Sequence, residues 1–276
     1  MPHSLNNMDD QLSATQPQAI AADGYYYGGR YPQAVACAEA EAAMGDVPNE
    51  MGYYRSRYDG KLYAKLYCRG EGIYSDGTPM LMGAKRYFEV QPIRWYPFAI
   101  GEGKSLLVSQ NVLFTRPYDD KSNDWGGSYL REELQNFALG CLDARTKGRI
   151  VELPLDNDCV GLEVAKDGKR FVLDEVNAPW CVQAVTWDGV FVLSRAEWQG
   201  LQNDMRPFAP TDYAKAMGAM EQPNGYGTGW LRTADSASDR AAVFGFDDEA
   251  LGAVALNTGA VVSREMGVVP AISVRL

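Results

Sequence analysis

The chain has 276 residues, 46% hydrophobic and 22% charged, with a net charge of −10 and one histidine, His3. A chain of this size and composition folds without metal or disulfide staples, burying roughly 70–75% of its unfolded surface. Its acidity, unbroken by any Lys/Arg cluster, argues against nucleic acid as a partner, and His3 alone excludes Ser-His-Asp, Cys-His and His-ligated zinc chemistry.

Residues 1–22 are rich in Gln, Asn, Ser, Ala and Asp without periodicity and read as a flexible tail. The remainder, 23–276, reads as a single α+β domain. The alanine-rich stretch Ala34–Met44, followed by Gly45, predicts a helix with a C-terminal stop. Met51–Tyr58 and Lys61–Tyr67 flank Asp59-Gly60, a two-residue hairpin signal, and Asp76-Gly77 marks a further turn. Tyr87–Val90, Ile93–Ile100 and Ser105–Phe114 predict three strands. The tyrosines of this region suit half-buried strands, with the ring inside and the hydroxyl wet.

Ser128 predicts a helix start, with Glu132 and Glu133 complementing the positive end of its dipole. Leu130, Leu134, Phe137, Ala138, Cys141 and Leu142 then fall on one apolar stripe. Ser194-Arg195-Ala196-Glu197 is a capping box opening a second helix, with Leu193 placed to staple onto Trp198. Thr211 caps a short third helix that ends at Gly218. Further strands are expected at Phe171–Leu173, Val190–Leu193, Trp230–Arg232, Ala241–Phe246, Ala253–Leu256 and Ala271–Leu276. No apolar run approaches the roughly 20 residues of a membrane helix. A secretory leader is not recognisable, so the chain as written is expected in the cytoplasm, or outside the cell if a leader has been removed.

Five cysteines, Cys37, Cys68, Cys141, Cys159 and Cys181, form no C-x-x-C pair and read as reduced thiols rather than a zinc site. Asp156-Asn157-Asp158 with Gly161 and Glu163 offers oxygen ligands, yet its spacing is not that of a calcium loop and an Asx-rich turn accounts for it. Asp119-Asp120 with Asp124, and Asp247-Asp248-Glu249, read as solvated turns. Gly225-Tyr226-Gly227-Thr228-Gly229 lacks the Gly-Lys-Ser/Thr ending of a phosphate loop. Neither a metal site nor a cofactor is therefore expected. Trp125 with Arg131, and Trp230 with Arg232, remain as the candidate ligand-binding residues. A tryptophan close to an arginine makes a cation–π or hydrogen-bonding shelf. The other reading is an arginine fixed by backbone carbonyls or a buried acid.

Seven short phrases stand in a fixed order along the chain: Gly29-Arg30-Tyr31-Pro32-Gln33, Gln91-Pro92-Ile93-Arg94-Trp95, Trp125-Gly126-Gly127-Ser128-Tyr129-Leu130-Arg131, Phe191-Val192-Leu193-Ser194, Thr211-Asp212-Tyr213-Ala214, Trp230-Leu231-Arg232 and Val269-Pro270-Ala271. Together they resemble a bacterial family known only as a domain of unknown function, over residues 25–276. The second half is also distantly similar to formylglycine-generating-enzyme and C-type-lectin-like folds. That resemblance implies twisted antiparallel sheets, two or three helices and long loops carrying any ligand site. The chain departs from the family at Glu133, Gln135 and Val269, where a Trp, an Asn and an Arg are usual. The paired active-site cysteines of a formylglycine-generating enzyme are not recognisable around Cys159 or Cys181.

The combined expectation is a non-catalytic recognition module that binds a protein or a glycan, with no nucleic-acid or membrane partner. An enzyme working through carboxylates or Cys, such as a copper-dependent oxidase, and a structural assembly component are the alternatives.

Overall fold

The computed structural model describes residues 20–157, 164–166, 169–171, 184–201, 208–235, 237–245 and 259–276. The first half carries β1 (Tyr26–Val35), α1 (Ala38–Ala42), β2 (Tyr54–Arg55), β3 (Leu62–Tyr67), β4 (Lys85–Gly101), β5 (Lys104–Ser109) and β6 (Phe114–Arg116). A 3-10 turn (Trp125–Gly127) leads into α2 (Tyr129–Cys141), α3 (Ala144–Lys147) and β7 (Leu153–Leu155). Then come β8 (Val164–Lys166), β9 (Lys169–Phe171), β10 (Thr186–Asp188), β11 (Val190–Phe191), α4 (Arg195–Leu201) and α5 (Asp212–Ala216). β12 (Gly229–Ala234), β13 (Arg240–Phe244), β14 (Ala260–Val261), β15 (Met266–Val268) and β16 (Ala271–Arg275) complete the order. Most of the 1–22 tail, Asp247-Asp248-Glu249 and the expected strand Ala253–Leu256 lie outside the described residues, as do Asp158, Cys159, Gly161, Glu163 and Cys181.

The fold is α+β with mostly antiparallel sheets and few helices. A seven-stranded sheet runs β11-β16-β5-β4-β3-β2, with β1 also paired to β4. A five-stranded sheet runs β14-β13-β12-β15-β6, in which β12 and β15 pair in parallel. Two further ribbons pair β7 with β10 and β8 with β9. The last strand lies between β5 and β11, so its register partners come from both halves of the chain. One buried cluster accordingly reaches from Tyr26 to Val274. No helix among the described residues is long and apolar enough to cross a membrane.

Local signals held where they depended on neighbours. Ser128 caps α2 by accepting from the Arg131 amide at 3.2 Å, and Leu130, Leu134, Phe137 and Ala138 are buried. The capping box of α4 is reciprocal: the Glu197 amide donates to Ser194 Oγ at 3.1 Å and the Ser194 amide to Glu197 Oε2 at 2.9 Å. Thr211 caps α5 at 3.1 Å.

Strand boundaries moved for tertiary reasons. The strands expected at Tyr87–Val90 and Ile93–Ile100 are one strand, β4. β3 pairs with its residues 85–89 and β5 with 95–101, so Pro92, which cannot donate to a ladder, falls between the two stretches. β1 covers that gap from the other side, and Gln33 Nε2 donates to the Pro92 carbonyl at 2.9 Å. The segment expected as one strand at Ser105–Phe114 is split, because β5 belongs to one sheet and β6 to the other. The helix expected from Ala34 shortens to α1, since Val35 pairs with Phe88 in β1 and the Ala36 amide donates to the Tyr87 carbonyl. Sheet pairing outweighs alanine's propensity here. The Asp59-Gly60 hairpin forms with a longer connection, its first pair being Arg55 with Leu62.

Candidate functional site

The site begins at the entry to α2. Asp124 accepts from the Gly126 amide at 3.1 Å and starts the 3-10 turn; Ser128 donates to the Trp125 carbonyl at 3.0 Å and caps the helix. This double turn sets Arg131 on the first turn of α2, facing the β7–β10 ribbon. Along β10 the side chains alternate in direction, as any strand requires. Asp188 points inward and is 2% exposed, whereas Trp187 points outward and is 61% exposed. Pro154 lies opposite Trp187 across the ribbon.

Asp188 organises the inner side. Its Oδ2 accepts from the Trp125 indole Nε1 at 3.0 Å and from Thr186 Oγ1 at 2.7 Å, and its Oδ1 accepts from Arg131 Nε at 2.8 Å. Thr186 Oγ1 in turn accepts from Asn157 Nδ2 at 3.0 Å. Arg131 Nη1 donates to the Gly126 carbonyl at 3.0 Å, while Nη2 has no acceptor among the described residues. A buried carboxylate with three donors is a satisfied anion, and Arg131 is locked in one orientation by it.

Between the ribbon and α2 lies an open cleft of about 390 Å³. The Gly126–Ser128 segment, Arg131, Glu132 and Gln135 form one wall, and Glu152, Trp187 and Gly189 the other. Glu132 and Glu152 are exposed and neither pairs with a cation among the described residues. The arrangement therefore combines a solvent-facing indole, a fixed guanidinium and two free carboxylates. Among the described residues no group of three His, Cys, Asp or Glu side chains could hold a metal ion. The calcium candidate at Asp156 and Asp158 lies partly outside the described residues; Asn157, within them, ties residue 157 to the Ala184 carbonyl and Thr186.

The four residues singled out from sequence separate. Trp125 and Arg131 are brought together, but through Asp188 rather than through a shared ligand shelf, and Trp125 has no exposed surface. Trp230, also fully buried, donates its Nε1 to the Arg116 carbonyl at 2.8 Å and packs edge-on against Tyr118 at 5.5 Å. Arg232 is 2% exposed; its Nη1 donates to the Val192 carbonyl at 3.1 Å and to Glu197 Oε2 at 2.5 Å, and its Nη2 to Glu197 Oε1 at 2.5 Å. The expectation that Trp125, Trp230 and Arg232 meet a ligand is thus corrected: Trp125 is buried in the 3-10 turn, and Trp230 and Arg232 lie on β12, every residue of which is buried. Tyr118 joins the two groups, touching the rings of both tryptophans and donating its hydroxyl to the Arg232 carbonyl at 3.0 Å.

Trp187, Asp188 and Glu152 were not singled out from sequence. The one available signal was the Thr186-Trp187-Asp188-Gly189 run, whose alternation places Trp187 and Asp188 on opposite faces. The chain matches no family model, no curated protein and no solved structure.

Proposed function

We propose that the chain is a non-catalytic recognition module and that the cleft between α2 and the β7–β10 ribbon binds a glycan. The observation that carries this reading is an indole held 61% exposed on a paired ribbon, opposite an arginine locked by a buried carboxylate. A sugar ring has an apolar C–H face and a rim of hydroxyls. The indole covers the face, and Arg131 Nη2, Gln135 and the two glutamates exchange hydrogen bonds with the rim. Trp187 is the one large apolar side chain of a mostly polar lining, and the fixed polar groups around it supply the orientation a small-ligand site requires. Both glutamates are open to water, and a general acid for glycoside hydrolysis needs a desolvated setting, so binding without cleavage is favoured.

The reading extends to the fold as a C-type-lectin-like or formylglycine-generating-enzyme-like core, in the bacterial family of unknown function that the ordered phrases resemble. Support for it is the succession of a Trp-bearing β12 and a closing β16 after a capped helix. An experimental structure whose β12–β16 core fails to superpose on such folds refutes that extension.

Glycan-array binding by the intact chain tests the function. If a ligand covers about 100 Å² of Trp187, the contact is worth about 2.5 kcal/mol. Trp187→Ala then weakens binding roughly 60-fold, with the circular dichroism spectrum unchanged. Binding that survives this substitution, no binding across a broad panel, or release of cleaved sugar each overturns the proposal.

A further inference from the structure

The charges of the cleft narrow the class of saccharide, an argument that rests on the glycan reading above. Arg131 is the cation among the lining residues, and it is already engaged by buried Asp188 at 2.8 Å. Glu132 and Glu152 open onto the same cleft and have no counter-ion among the described residues. One cation against three carboxylates leaves an excess of two negative charges, on a chain whose net charge is −10. An acidic sugar entering this field is repelled, and a neutral one gains nothing from it. A ring bearing an ammonium group is attracted by both glutamates and by the face of Trp187, whose π-system also favours cations. We propose that the cleft selects saccharides carrying free amino groups over their N-acetylated and uronic-acid counterparts.

Calorimetry on the full chain tests this with three probes of equal length: glucosamine oligomers, N-acetylglucosamine oligomers and galacturonic acid oligomers. Measurements belong at low salt, where the charges of the cleft are least screened. The amino form is expected to bind about tenfold more tightly than the N-acetyl form, and the uronate not at all. Glu132→Gln combined with Glu152→Gln removes both charges at constant shape. It should abolish the preference for the amino form over the N-acetyl form, and added salt should compress the preference in the wild type. Two other outcomes overturn the selection rule while leaving glycan binding standing. One is a wild type that binds the N-acetyl or uronate form as tightly as the amino form. The other is a preference that persists in the double variant. If none of the three probes binds, the glycan reading itself fails for these sugars. Tetralysine binding as tightly as the glucosamine oligomer assigns the charge to a basic peptide and overturns the proposal.

Discussion

Replacing Asp188 by Asn separates the charge of this group from its shape. The carboxylate serves three donors: Trp125 Nε1 and Thr186 Oγ1 on Oδ2, and Arg131 Nε on Oδ1. An amide has one oxygen and two N–H donors. With its oxygen toward Trp125 and Thr186, the new amide points N–H at Arg131 Nε. Turned over, it points N–H at the Trp125 indole, which is fully buried. Trp and Arg are donors only, so one of them is orphaned in either orientation. The loss is one charge-assisted hydrogen bond, about 2–3 kcal/mol, or a fall in Tm of about 5–10 °C for a chain of this size. Because the Arg131 side chain is 32% exposed, water recovers part of its loss, which favours the first orientation and the lower figure. Urea unfolding of Asp188→Asn, Arg131→Met and the double variant measures this. The double variant should cost at least about 1 kcal/mol less than the sum of the singles. A single Asn variant within about 0.5 kcal/mol of wild type, or strict additivity, refutes the role of Asp188 as the anchor of Arg131.

Three further outcomes follow from the same contacts. Ser194→Ala and Glu197→Ala both break the α4 capping box, yet only the second strands the buried Arg232 guanidinium. Chemical denaturation should give about 1 kcal/mol for the first and about 3 kcal/mol for the second; equal losses would mean that Arg232 does not depend on Glu197. Gly29 has φ +89°, and an added Cβ would overlap the Cys141 carbonyl oxygen and sit 2.8 Å from Leu142 Cα, whereas Gly52, at φ +79°, faces open space. Gly52→Ala should cost about 1–2 kcal/mol and Gly29→Ala at least about 3 kcal/mol, so thermal unfolding that ranks them the other way contradicts the packing of β1 against the end of α2. Burial pushes the Cys141 thiol up to about 12, while Cys37 is exposed. Iodoacetamide labelling near the usual thiol value of about 8.5, read by peptide mapping, should modify Cys37 well before Cys141; comparable rates would show that the α2 stripe opens.

Helix starts were legible because their causes are local. Ser128, Ser194 and Thr211 each satisfy an amide within three residues, and Glu197 answers Ser194 within the same turn. The candidate site was legible only in part. Trp125 and Arg131 stand out as a pair in the chain, but the carboxylate that joins them is 57 residues beyond Arg131. Trp230 and Arg232 looked equally suited to a ligand, and in the fold they are interior.

By itself, the amino-acid sequence determined the absence of imidazole chemistry from all but the first residues, the capped helices and the hairpin at Asp59-Gly60, since composition and contacts within a turn require no partner from elsewhere. Only the tertiary structure decided which tryptophan meets solvent. Every residue of β12 is buried, so alternation along that strand distinguishes nothing, whereas β10 belongs to a two-stranded ribbon with one face uncovered. A side chain's exposure is set by what packs over the strand, and that neighbour is chosen by pairing across the whole fold.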